Sequence, residues 1–317
     1  MKNNHSLVKE LNLVKKLIKN EIIEERTISN LYKYIFKSDG KRLRAKLSLI
    51  ASSLNKKKNK KRLQLAAIIE LLHTATLVHD DVVDDSQTRR GVKSVNNLWS
   101  NAHGVLIGDY IYSKAFVFMV QIGEPKILHE LASATNDISK GELIQLDALQ
   151  NISISLEELE AISYFKTGRL FEASARTGAI LSGGDTNFIN NISKCAKYLG
   201  ILFQIKDDLL DYSLSAKIIG KPVFQDMKEG KVTYPFYFAY MNADNNDKSK
   251  LKAYLGKNKF NMEKSYNLIC KLDGIRETEL LASEYLNRAV KAANAIKNKH
   301  IKEEMLKLIN SALYRKK

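Results

Sequence analysis

The chain is poor in the residues that break a fold or staple it together. Of 317 residues only three are proline, two are cysteine and one is tryptophan. Two isolated cysteines, Cys195 and Cys270, are too few for a disulfide framework or a zinc site. Cys195 falls within a helical pattern and reads as a small core residue. With so little proline and no Pro/Gly/Ser-rich linker, no composition boundary divides the chain. Residues 1–317 are therefore expected to form one domain, although the length would allow two. No run approaches the roughly 18 apolar residues of a membrane span. The first 25 residues (MKNNHSLVKELNLVKKLIKNEIIEE) lack the unbroken apolar stretch of a signal peptide. The expectation is a cytoplasmic protein with at most peripheral membrane contact.

What the chain has in excess is positive charge. Lysine and arginine total 51 against 35 acidic residues, a net charge of +16. Such a balance suits an anionic partner, but the lysines are spread along the chain. The one dense run, Lys56 to Arg62, lies between two helical patterns and reads as an exposed loop. No nucleic-acid partner is expected; small anionic substrates would gain from the same field.

The Leu/Ile/Ala/Lys/Glu content and the 3.6-residue periodicity predict an all-α fold in a single domain. Helices are expected over about 6–36, 41–54, 63–85, 104–122, 127–149, 156–182 and 189–212. Residues 91–101 read as a polar connection and 216–231 as irregular, with two or three helices completing the chain.

Two of these helices carry the same signature. Asp80-Asp81-Val82-Val83-Asp84 and Asp207-Asp208-Leu209-Leu210-Asp211 repeat a DDxxD spacing about 127 residues apart. The first and fifth residues of each project from nearly one helix face. Carboxylates stacked that closely repel unless a cation lies between them. Their oxygens suit a hard ion, and Mg2+ takes one or two carboxylates together with phosphate oxygens. One DDxxD is usually a solvated acidic face; two, each on a long apolar helix, favour a metal-bridged diphosphate held between facing clusters. On the first helix Glu70, His73, Asp80 and Asp84 form a polar stripe, which inside a core costs free energy unless it lines a cavity. Gln204, Asp208 and Asp211 align on the second.

At these residues the chain resembles a known family. Leu72 to Gly91 (LHTATLVHDDVVDDSQTRRG) is similar to the first aspartate-rich region of the trans-polyprenyl diphosphate synthases, and Phe203 to Tyr212 (FQIKDDLLDY) to the second. Gly40-Lys-Arg-Leu-Arg44, Lys166-Thr167, Gly220-Lys221 and Gly230-Lys-Val-Thr-Tyr-Pro235 match further motifs in the right order, so the resemblance covers roughly residues 38–235.

The resemblance implies an all-α, single-domain bundle of ten or more helices around a central catalytic cavity, and a homodimeric transferase that joins an allylic diphosphate, here expected to be farnesyl diphosphate, to isopentenyl diphosphate. The allylic C–O bond ionises, the second substrate's double bond attacks the carbocation, and a proton is lost. It also implies roles. Asp80, Asp84 and Asp207 would ligate Mg2+, supported by Asp81, Asp208 and Asp211. Arg89, Lys166, Lys221 and Lys231 would hold the allylic diphosphate. Lys41, Arg44, His73 and Arg90 would form the isopentenyl diphosphate pocket, and Thr167 and Gln204 would flank the reacting carbons. His79 lies off the stripe and reads as structural. Departures from the family pattern are Ala45 where proline is usual, Lys206 where an apolar residue is usual, and Phe224-Gln225 where glycine and aspartate are common.

Family members close the tunnel for the growing chain with bulky residues. Ala75 and Thr76, just before the first motif, are small here, which argues for a long product with a deeper floor, Phe116, Phe118 and Met119 being candidates. Segments His73–Ser86 and Gly104–Phe116 look most like the octaprenyl diphosphate synthases of bacterial quinone side-chain synthesis. Competing expectations are a short-chain synthase, a class I terpene cyclase and a non-catalytic subunit. Lys41, Arg44 and Arg90 count against the cyclase, and the two intact aspartate motifs count against the last.

Overall fold

The computed structural model describes residues 2–20, 23–38, 40–55, 60–213, 223–257 and 261–313. Among the described residues the regular structure is helical, as expected, apart from one two-stranded hairpin. The chain divides into two compact units. The first comprises Met1–Thr135, Ala173–Ser193 and Ile296–Met305; the second comprises Asn136–Glu172, Lys194–Ala295 and Leu306–Lys317.

In the first unit, α1 (Lys2–Lys19), α2 (Arg26–Ile35), α3 (Leu43–Ala51) and α4 (Lys60–Val83) precede a hairpin, β1 (Thr88–Arg89) and β2 (Val92–Lys93). A short α5 (Val95–Leu98) and the long α6 (Asn101–Ile122) follow. The hairpin and α5 occupy part of what the sequence presents as a plain polar connection. Thr88 pairs with Lys93 and Arg89 with Val92, leaving Arg90 and Gly91 as a two-residue turn with both φ positive. That geometry matches the right-handed strand twist. Helix α4 is apolar on nearly every side and packs along α6. Its Leu65, Ile68, Ile69, Leu72 and Ala75 form one core with Ile107, Ile111, Ala115 and Met119.

Two expectations are corrected here. Arg62 is not a loop residue: it lies in the first turn of α4, buried, donating to Ser52 Oγ at 2.9 Å and to the Leu49 carbonyl at 2.9 Å, and pairing with Glu10. Lys56 to Asn59 lie outside the described residues. And α6 is long and apolar enough to cross a membrane by length and composition, where no such stretch was expected. Its inner face, including Gly104, Ile107, Gly108 and Ile111, is buried against the unit's own core.

The second unit contains the end of α7 (Pro125–Asp147), α8 (Leu156–Ser163), a π-helical turn at Tyr164–Gly168, and the start of α9 (Arg169–Leu181). Most of α10 (Thr186–Asp211) and α11 (Gln225–Glu229) follow, then α12 (Tyr234–Asn242), α13 (Asn245–Tyr254), α14 (Met262–Lys271) and α15 (Gly274–Asn294). The last described helix is α16 (Lys299–Leu313), so among the described residues five helices follow α11 rather than two or three. The region expected to be irregular contains α11. Helix α8 begins with a capping box: Ser155 Oγ accepts the Glu158 amide and Glu158 returns to the Ser155 amide. The helix expected over 156–182 is present from 156 to 181, and the π-turn is a bulge within it. Single π-turns inside helices are frequent at functional sites. A Cβ on Gly200 would fall 2.6 Å from the Gly168 backbone, and one on Gly141 2.6 Å from Phe165. Glycine at these positions lets α7 and α10 close on the π-turn.

Candidate active site

Within the first unit the aspartate motif sits at the C-terminal end of α4. The Asp84 amide still donates to the Asp80 carbonyl at 2.8 Å, so the two carboxylates stand one helical turn apart as expected, each partly exposed. Asp81 differs. It is 4% exposed and binds Arg89, whose Nε lies 2.8 Å from Oδ1 and whose Nη2 contacts the same oxygen. The hairpin thus folds Arg89 back onto the motif, and the arginine expected to hold the allylic diphosphate neutralises an aspartate in this structure. Burial pushes the Asp81 carboxyl up, and Arg89 pulls it back part of the way.

Arg90, at the turn of the hairpin, reaches Gly40: a Cβ there would lie 2.7 Å from its guanidinium. Arg44, in the first turn of α3, donates from Nη1 to His73 Nε2 at 2.9 Å. A guanidinium only donates, so Nε2 accepts and the imidazole is neutral, with its proton on Nδ1. Burial, and then Arg44, Arg90 and Arg89, drive the His73 pKa well below its usual value, in keeping with that assignment. The structure therefore brings together Arg44 and His73, and sets Arg90 against Gly40, while Lys41 stays exposed. A cavity lined by Gly40, Glu70, Arg89 and Arg90 also takes in Lys15 and Lys19 of α1. Those two lysines had no signal beyond their place on an amphipathic helix.

His79 contacts the Val105 carbonyl and Asp109, both at 3.2 Å, which fits a structural role. Ala75 is fully buried, and Met119 and the partly buried Phe116 and Phe118 belong to the same core. Thr76 donates to the His73 carbonyl.

In the second unit the π-turn carries Lys166 and Thr167. Lys166 Nζ lies 2.8 Å from Glu142 Oε2 and also donates to Gln145 Oε1, both on α7. Thr167 Oγ1 donates to Gln204 Oε1 at 2.6 Å, and Gln204 Nε2 donates to Asp208 Oδ1 at 2.8 Å. Asp208 is 5% exposed, and burial followed by the charge of Asp226 holds its carboxyl well above the usual range. Asp211 spends its carboxylate on backbone. Oδ1 accepts the Gln225 amide at 3.0 Å and Oδ2 the Asp226 amide at 3.1 Å, so it caps α11 from another helix. Phe224, before that helix, has φ +57, which explains why glycine suits the position. Lys231 pairs with Glu229 at 2.7 Å. Lys206 lines a separate depression with Tyr266 and Glu279. Lys221 lies outside the described residues.

Sequence reasoning assigned no role to Glu142, Gln145 or Asp226. Glu142 and Gln145 are spaced i, i+3 directly after Gly141, a pattern that could have marked them. Burial, and then Asp211, push the Asp226 carboxyl up to about 7. Among the described residues no three His, Cys, Asp or Glu side chains form a ready-made metal cluster. Asp80 and Asp84 form a two-carboxylate oxygen donor set, which suits a hard divalent ion completing its shell with substrate phosphates.

Comparison with known proteins agrees with these motifs. The model of the family described as polyprenyl synthetase matches residues 25–272. The octaprenyl diphosphate synthase of Escherichia coli K12 is 33% identical over 290 residues, covering 91% of this chain and 90% of that protein. A decaprenyl diphosphate synthase structure from Rhodobacter capsulatus superposes with a TM-score of 0.91 at 32% identity, covering 98% and 97% of the two chains. A polyprenyl synthase from Caulobacter crescentus, complexed with calcium and isoprenyl diphosphate, gives a TM-score of 0.92 at 30% identity, covering 99% and 97%.

Proposed function

The chain belongs to the polyprenyl synthetase family, and from that premise we propose that it extends farnesyl diphosphate with successive isopentenyl diphosphates to an all-trans octaprenyl diphosphate used for quinone side chains. It is a prenyltransferase of the long-chain kind, its relatives including octaprenyl and decaprenyl synthases. The observation that carries the reading is the hydrogen-bonded series Thr167–Gln204–Asp208, which ties the Lys166-Thr167 pair to the second aspartate motif.

Divalent cations, Mg2+ in this reading, would be held by Asp80, Asp84 and Asp207 and would neutralise the charge that develops on the departing diphosphate. The calcium-bound relative supports the use of a divalent ion. Asp81, Asp208 and Asp211 then act behind the ligands, orienting Arg89, Gln204 and α11. Lys166, Lys221, Lys231 and Arg89 bind the allylic diphosphate, with Glu142 and Gln145 aiming the Lys166 ammonium. Lys41, Arg44, His73 and Arg90 bind isopentenyl diphosphate. Thr167 and Gln204 flank the reacting carbons: Thr167, whose hydroxyl proton goes to Gln204, presents its oxygen lone pairs toward the allylic cation, and Gln204 holds that hydroxyl in place. No side chain is an obvious base, so the last proton goes to the released diphosphate. Both units serve one synthase domain spanning 1–317.

A homodimer in the cytoplasm, with no more than peripheral membrane contact, is part of this reading. The homodimer is supported by a stripe on α6 where Leu106, Val117 and Val120 stay 68%, 50% and 66% exposed. Such a face is costly to leave in water.

The experiment is a Mg2+-dependent incubation with farnesyl and labelled isopentenyl diphosphates, with products resolved by length. A main product near forty carbons is expected. Products of about fifteen or twenty carbons would replace the octaprenyl assignment with a short-chain one. Absence of elongation with any primer would refute the synthase reading.

A further inference from the structure

Glu70 has no assigned role, yet its carboxylate sits at the start of α3. The first three amides of that helix, at Leu43, Arg44 and Ala45, have no intrahelical acceptor, since the ladder begins with the Lys46 amide on the Arg42 carbonyl at 3.0 Å. The residue before the helix, Arg42, has φ +49 and supplies no side-chain cap. Glu70 Oε1, coming from α4, accepts the Ala45 amide at 3.2 Å.

Three residues further along the same face of α4, His73 accepts from Arg44 at 2.9 Å. Helix α4 therefore grips both ends of one residue's setting: the amide just after Arg44 through Glu70, and the Arg44 guanidinium through His73. The charges agree. Burial pushes the Glu70 carboxyl up, while the Ala45 amide, Arg44, Arg42 and Arg90 draw it back. An anion at a helix N-terminus is favoured in addition by the helix dipole.

We propose that Glu70 is a positioning residue, capping α3 from α4 so that Arg44 presents its guanidinium to the diphosphate of isopentenyl diphosphate. The proposal rests on the synthase reading above and deepens it. Although Glu70 also lines the cavity with Arg90, its role in this proposal runs through Arg44, since a carboxylate would repel the diphosphate. Ala45 matters to the device, because a proline there would have no amide to donate.

Three variants separate the parts. Glu70→Ala removes the acceptor, Glu70→Gln keeps an oxygen but not the charge, and Ala45→Pro removes the donor in a helical first turn that tolerates proline. Steady-state kinetics should show the KM for isopentenyl diphosphate rising about tenfold in Glu70→Ala and Ala45→Pro, the scale of one charged hydrogen bond. The allylic KM and kcat should stay within about twofold, and Glu70→Gln should recover most of the loss. A Glu70→Ala enzyme with a lower Tm but an unchanged isopentenyl KM would overturn the positioning role. So would equal losses in all three constants. Hydrogen exchange gives a test that does not depend on turnover. The Ala45 amide should be protected in the parent chain and exchange fast in Glu70→Ala; an amide still protected there overturns the cap. If the parent chain elongates no primer, the synthase reading fails while the exchange result still decides the cap.

Discussion

Thr167 Oγ1 donates to Gln204 Oε1 at 2.6 Å, and this bond fixes which way the Gln204 amide points. Its oxygen is committed to Thr167 and its nitrogen to Asp208. Gln204→Ala would leave a buried hydroxyl and a buried carboxylate without their shared partner. We expect kcat to fall by about 100-fold, the scale for losing one preorganised polar group beside developing charge. Thr167→Val should fall less, since Gln204 keeps Asp208. Equal kcat in Gln204→Ala and the parent enzyme would show that this series is structural only.

His73 predicts a pH effect with a definite sign. Its pKa in the folded chain lies well below the unfolded value of 6.5, first because of burial and then because of Arg44, Arg90 and Arg89. As pH falls below about 6.5 the unfolded chain takes up a proton that the folded chain refuses, so stability drops. Above that pH the group contributes no slope. Replacing His73 with Gln keeps an oxygen to accept from Arg44 and removes the titration. The difference in Tm between parent and His73→Gln should therefore shift toward the variant between pH 7.5 and 5. A constant difference would mean that the ring titrates in the folded chain as it does in water, and a shift toward the parent would mean that the folded ring is charged.

Much of the chemistry was legible in the sequence because it is local. The DDxxD spacing sets Asp80 and Asp84 one turn apart through helix geometry alone, and the polar stripe on an apolar helix predicted a cavity beside it; Glu70 lines one, while His73 is met by Arg44. What was not legible depends on partners distant in sequence. Asp81 was expected to support the metal ligands, but its partner could not be read from the motif: the hairpin turn at Arg90-Gly91 swings Arg89 onto it. Asp211 was expected only to support the metal ligands, and the partners of its two oxygens, the amides of α11, lie 14 and 15 residues on. The π-turn was hidden because Lys166-Thr167 continues a good helical pattern; the close approaches at Gly141 and Gly200 belong to other segments. Arg62 was lost in a lysine run, where composition outweighed the one residue that turns inward.

Ala75 offers a test of product length. It is fully buried in the core shared with Met119, and Thr76 beside it is only partly buried. Tyrosine at either position should shorten the product. Overpacking at Ala75 should also cost about 1–3 kcal/mol of stability, so Thr76→Tyr is the cleaner variant. Product chromatography reads the length and thermal unfolding reads the cost. An unchanged product from both variants would place the growing chain elsewhere.

Phe224 sets two effects against each other. At φ +57 a side chain is strained by about 1–2 kcal/mol, which glycine would relieve. The ring, however, is fully buried and meets Tyr212 edge-on at 5.2 Å between centroids. Removing a buried phenylalanine costs about 3–5 kcal/mol. Burial outweighs strain, so Phe224→Gly should destabilise the chain by about 2 kcal/mol net. Because the Phe224 amide also donates to the Asp211 carbonyl at 2.9 Å, loosening here should free the Asp211 carboxylate from α11. Urea unfolding of Phe224→Gly would measure the balance. A variant more stable than the parent would mean that the backbone strain, rather than the packing of this ring, dominates at the start of α11.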